Sequence, residues 1–68
     1  MVVTVNGRPC ELPAGATVAS VLRLLAVSPG ARGVAVALEG EVVPRGEWER
    51  TAVNEGAGVE VVSAIQGG

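Results

Sequence analysis

The 68-residue chain contains no histidine, lysine, aspartate, tyrosine or phenylalanine, and one residue each of cysteine, tryptophan and methionine. Each absence removes a class of chemistry. Without histidine or aspartate no Ser/His/Asp triad can be assembled, and without lysine no Schiff base can form. A single cysteine and no histidine leave neither a disulfide nor a two-cysteine metal site to staple so small a chain. The side-chain inventory therefore argues against an enzyme, and the core must come from hydrophobic packing alone.

Cations are scarce as well. Five arginines against seven glutamates give a net charge of −2, with no block of like charge. Nucleic acid and anionic membranes, both bound through clustered basic groups, are not expected partners. The longest charge-free stretch, Leu12 to Leu22, is 11 residues, far short of the roughly 20 needed to span a bilayer. Met1 to Gly7 carries no basic segment ahead of an apolar run, and with the lone thiol this makes the cytoplasm the expected compartment.

What is present is apolar: 49% of the residues, mostly Val, Ala and Leu, enough for one globular domain. Val2 to Val5 runs into Asn6-Gly7, the pair most favoured in two-residue type I′ hairpins. The returning arm holds Pro9, which has no N–H to donate and so belongs at a sheet edge. Period then changes from 2 to 3.6. Thr17 is the N-cap candidate, Val18, Val21, Leu22 and Leu25 form one helical face, and Pro29-Gly30 is the expected stop.

Alternation resumes with Val34, Val36 and Leu38 on one side and Ala35 and Ala37 on the other. Glu39-Gly40 turns the chain into a short strand at Glu41 to Val43, ended by Pro44. An irregular connection follows, closed by a turn at Asn54 to Gly58, and Val59 to Ile65 forms the last strand. The order β-β-α-β-β-loop-β predicts an α+β fold in which one helix covers one face of a small mixed sheet. Residues 1–64 are expected to form the body and residues 65–68 a flexible Gly-Gly tail.

Candidate side chains for chemistry are few. Glu47 and Glu49 flank Trp48 in a loop with Arg45 and Arg50, a pattern that reads as a solvated charged face rather than an acid–base pair. Cys10 has only Arg8 near it in sequence to lower its pKa, so it reads as a small apolar strand residue. Trp48 reads as the pin that holds the long loop to the body, with an interface anchor as the alternative. The internal glycines form no G-x-G-x-x-G or phosphate-loop pattern and sit where turns are expected.

The remaining distinctive group is the carboxylate of Gly68. It is ionised at neutral pH, with an ordinary pKa of about 3.3 to 3.7, and must be activated before it can react. Two glycines present no Cβ to a narrow channel. Ile65 to Gly68, fully extended, reaches at most about 13 to 14 Å, far enough to enter a buried site while the body docks outside.

Four stretches together resemble the ThiS family of thiamin-biosynthesis sulfur carriers: "VNG" (Val5 to Gly7), "TVASVLRLL" (Thr17 to Leu25), "VAVALEGEVVPRGEW" (Val34 to Trp48) and "VEVVSAIQGG" (Val59 to Gly68). The strand followed by "VVPR", two residues and Trp is the most discriminating part. One departure is Glu55-Gly56-Ala57-Gly58, where many relatives have an Asp-Gly-Asp-like turn. The resemblance implies a ubiquitin-like β-grasp fold with the final strand central, beside the first.

It further implies that Gly68 is adenylated by a ThiF-type adenylyltransferase at the expense of ATP and converted to a thiocarboxylate. The sulfur comes from cysteine through a desulfurase and passes to thiazole synthase (ThiG). On this reading the chain binds no cofactor tightly and is a cosubstrate of its partner enzymes. Val62, Ala64, Ile65, Gln66 and Gly67 are the candidate partner-contacting positions, with the outward face of the last strand left open. Three alternatives stand beside it: a sister carrier for tRNA thiolation or molybdopterin synthesis, a ubiquitin-like protein modifier, and a β-grasp binding module with an incidental tail.

Overall fold

Asn6 and Gly7 both adopt positive φ, 52° and 82°, as a type I′ turn requires, and they bring β2 (Arg8–Glu11) back along β1 (Val2–Val5). Val5 faces Arg8 and Val2 faces Glu11 across the hairpin. The computed structural model describes residues 1–28, 30 and 32–63. A second tight turn, Glu39-Gly40 at φ 51° and 83°, joins β3 (Val34–Leu38) to the short β4 (Glu41–Val42). The Glu39 carboxylate accepts the Gly58 N–H.

β5 (Gly58–Ser63) completes a five-stranded sheet in the order β2-β1-β5-β3-β4. Its pairing with β1 is parallel and with β3 antiparallel. The last strand is thus central and the proline-bearing β2 lies at an edge, as expected. One helix, α1 (Val18–Leu24), covers one face, which makes this the ubiquitin-like β-grasp arrangement. Val3 and Val5 of β1, Val36 of β3 and Val59 of β5 form the sheet side of the core; Val18, Ala19, Val21 and Leu22 of α1 form the other.

The helix differs from expectation at its C-terminal end. It stops at Leu24, and Leu25, expected on the buried face, is 38% exposed. Leu25 is the C-cap, and Ala26 follows at φ 61°. The Ala26 N–H donates to the Arg23 carbonyl and the Val27 N–H to the Leu22 carbonyl, at 3.0 and 2.8 Å. This is a Schellman motif with alanine at the position glycine usually takes. The chain therefore leaves the helix before Pro29, a residue outside those described, and Val27 takes up the contact with the core that was expected of Leu25.

At the other end Thr17 caps the helix, accepting the Ser20 N–H while the Ser20 hydroxyl oxygen accepts the Thr17 N–H. The remaining free donors of the first turn are met by the long connection. The Val18 N–H reaches the Thr51 carbonyl and the Ala19 N–H the Trp48 carbonyl, both at 3.0 Å. Trp48 is 3% exposed, donates Nε1–H to the Val43 carbonyl at 2.8 Å and carries the Arg45 guanidinium 4.5 Å from its ring centre. It pins the loop, and burial removes the alternative of an interface anchor. Among the described residues, no helix is long and apolar enough to cross a membrane.

Candidate functional site

The only group singled out in the sequence for chemistry is reached through β5, so the site is built outward from that strand. Its backbone is held on both sides. β3 pairs with it from Val34↔Ser63 to Leu38↔Val59, whereas β1 pairs through only two positions, Thr4↔Gly58 and Val5↔Val59. Beyond Val5 the chain turns away into the hairpin. There the Asn6 side chain takes over: Oδ1 accepts the Val61 N–H at 2.8 Å and Nδ2–H donates to the Val61 carbonyl at 3.2 Å. Asn6 was expected only to shape the turn, and its local sequence gives no sign of a partner 55 residues away.

The register settles which side of β5 is open. Val59 is buried and Val61 packs against the core, whereas Glu60 and Val62 face away from α1. Cross-strand partners share a face. Val62 therefore lies beside Ala35, and Glu60 beside Ala37, which in turn faces Val42. Val62 is 61% and Val42 75% exposed, leaving an apolar strip interrupted by a carboxylate. Ala64, Ile65, Gln66, Gly67 and Gly68, the other positions singled out, lie outside the described residues, as does the expected division after residue 64.

At the opposite end of the same face a depression of about 270 Å³ is lined by Thr4, Gly7, Glu39, Gly40, Gly58, Val59 and Glu60. It holds no basic or nucleophilic nitrogen or sulfur, and the Glu39 carboxylate is occupied by the Gly58 N–H. The remaining candidates are structural. Glu47 pairs with Arg50 and Glu49 with Arg23 at 3.0 and 2.8 Å, all exposed, and the Arg50 hydrogen bond and charge hold Glu47 below the ordinary glutamate range. Cys10 is half-buried and packs against the core. Among the described residues, no three acidic or cysteine side chains cluster as a metal site.

Comparison with known proteins agrees with this geometry. The ThiS family model matches residues 3–68. The crystal structure of the thiamine biosynthesis protein (ThiS) from Geobacter metallireducens is similar over the full length of both chains, with 36% identity and a TM-score of 0.80. An NMR solution structure of a thiamine biosynthesis protein from the same organism gives 36% identity and a TM-score of 0.78, covering all of this chain and 88% of the other. No match was found among curated proteins. With the β-grasp topology, the family's sequence pattern and its fold all present over essentially the whole length, the chain belongs to the ThiS family.

Proposed function

We propose that this chain is a sulfur carrier of thiamin biosynthesis that works through the carboxylate of Gly68. The observation that carries the proposal is the family match, which runs through to Gly68. The chain is a cosubstrate, and the chemistry on it is done by partner enzymes in the cytoplasm. A ThiF-type adenylyltransferase positions the carboxylate against ATP; a carboxylate oxygen attacks the α-phosphorus and pyrophosphate leaves. The outer sulfur of a persulfide, formed from cysteine by a desulfurase, then displaces AMP to give an acyl disulfide, and attack of a thiol on its S–S bond releases the thiocarboxylate and leaves a disulfide. Thiazole synthase (ThiG) accepts that sulfur, and the carboxylate is restored.

The body contributes docking and delivery. The apolar strip of Val62, Ala35 and Val42 supplies area that a partner can bury. It surrounds the strand from which the chain continues toward Gly68, so an enzyme seated there has the residues after Ser63 within reach. A thiocarboxylate is a stronger nucleophile than a carboxylate, and carrying it on a folded body restricts its delivery to proteins that recognise that body.

Intact-protein mass spectrometry tests the proposal. Incubation with ATP, a ThiF-type enzyme and a sulfur source is expected to add the mass difference between sulfur and oxygen, located on Gly68 by fragmentation. An unchanged mass with a competent partner refutes the carrier function. Transfer of the sulfur to a tRNA-thiolating or molybdopterin-forming acceptor, with none to thiazole synthase, assigns the chain to a sister pathway. An isopeptide bond from Gly68 to a lysine of another protein identifies a modifier.

A further inference from the structure

The structure assigns to Asn6 a second task besides shaping its turn. We propose that its side-chain amide is a clamp that fixes the base of the tail and thereby positions Gly68 for its activating enzyme. The inference rests on the carrier function proposed above, but its first readout does not.

β5 has a full antiparallel partner on one side, while β1 accompanies it on the other for only two residue pairs. The backbone of β1 makes its last contact through the Asn6 N–H, which donates to the Val59 carbonyl at 2.9 Å. Continuing the ladder requires an acceptor for the Val61 N–H and a donor for its carbonyl. The Asn6 carboxamide supplies both, at 2.8 and 3.2 Å, and so imitates the next residue of a strand that has already turned away. An amide is the smallest side chain with an acceptor and a donor on one planar group.

The position is well chosen mechanically. At φ 52° the side chain departs from a two-residue turn whose backbone is fixed by pairing on both flanks, Val5 with Arg8 and Thr4 with Pro9. Val61 itself packs inward against the core. Its backbone is thus held by β3, by Asn6 and by its own side chain, two residues before Ser63, where the described strand ends. Gly68 lies seven residues beyond Val61 in sequence, so an angular error at Val61 is carried outward to the carboxylate. Loss of the clamp therefore widens the distribution of carboxylate positions without altering the exposed strip at Val62 and Val42.

Two substitutions separate the clamp from the turn. Asn6→Gly removes the side chain but still accepts positive φ, so the hairpin is retained while both bonds are lost. Asn6→Asp also suits the turn and keeps an acceptor for the Val61 N–H but no donor for its carbonyl. In Asn6→Gly, with the folded spectrum preserved, the Val61 amide is expected to exchange about tenfold faster, the size set by loss of two solvent-accessible hydrogen bonds. With the ThiF-type enzyme and ATP, kcat is expected to fall about tenfold at a KM within about twofold of wild type, because a small misplacement of a reacting group is costly while docking is untouched. Asn6→Asp, whose carboxylate still accepts the Val61 N–H, is expected to keep exchange within about twofold of wild type and to place kcat between wild type and Asn6→Gly, and its kcat carries the comparison if Asn6→Gly does not fold.

Unchanged Val61 exchange in Asn6→Gly overturns the clamp, and so does an unchanged kcat in Asn6→Asp where that variant carries the comparison. Faster exchange with kcat unchanged, or a loss confined to KM, overturns the positioning role. If the wild-type chain is not adenylated at all, the carrier function fails by itself, and the clamp is still decided by exchange at Val61.

Discussion

Three non-glycine residues, Asn6, Ala26 and Glu39, adopt positive φ among the described positions, and the side chains of the first and last make hydrogen bonds to β5 that help to offset the cost. Asn6 bonds Val61 and Glu39 bonds Gly58. Ala26 has no such compensation. Its methyl group has nothing to gain in the left-handed region, which costs an L-residue roughly 1 to 2 kcal/mol. Glycine at this position pays a larger backbone entropy in the unfolded chain, which takes back part of that gain. Ala26→Gly is therefore expected to stabilise the protein by about 0.5 to 1 kcal/mol, read as a higher urea midpoint at unchanged slope; a lower midpoint contradicts the Schellman reading of this helix end. Val62 argues the opposite case, a residue whose cost of exposure serves the surface. Val62→Arg is expected to leave the melting temperature unchanged and raise the KM of the adenylating enzyme by about tenfold, through lost apolar burial and a charge brought into a dry contact. An unchanged KM places docking elsewhere.

At the scale of elements, α1 is a seven-residue helix, too short to persist alone. Its stability is borrowed. The buried stripe packs on the sheet, Thr17 and Ser20 close the first turn, and the Trp48 and Thr51 carbonyls accept the Ala19 and Val18 N–H groups. The long connection, which looked irregular in sequence, is in effect the helix's second cap, and Trp48 is fixed by its bond to Val43 so that its carbonyl can serve. The 3.6-residue period located the helix but overran its end. Leu25 has the right spacing for the core face, yet the left-handed Ala26 turns the chain first, and nothing in the local pattern marks alanine as a terminator. The two hairpins were legible because Asn-Gly and Glu-Gly lie between alternating strands and their geometry is local.

In the whole molecule the last strand occupies the middle of the sheet, so its seat is built only when β1 and β5, from the two ends of the sequence, have come together. Core residues extend from Val3 to Val59 among the described positions, and the proposed reacting group, the Gly68 carboxylate, follows them in sequence. Deleting Gly68 is therefore expected to leave the melting temperature unchanged while abolishing both the mass gain with ATP and sulfur and all thiazole formation. A drop in melting temperature of more than about 4 °C, equivalent to roughly 1 kcal/mol in a domain of this size, would make Gly68 part of the body. Thiazole formation without Gly68 would contradict the carrier function outright.

The sequence by itself determined the chemistry that is excluded, the positions of both tight turns, the α+β order and the identity of the one candidate reacting group. These follow from side-chain inventory and from rules that act over a few residues. Tertiary structure alone decided that Val62 faces outward, that Trp48 is buried, where α1 ends and that Asn6 grips Val61. Alternation along a strand defines two faces without saying which one the helix will cover. A bond between residues 55 positions apart leaves no periodic trace, because the two ends meet only when the sheet has closed around β5.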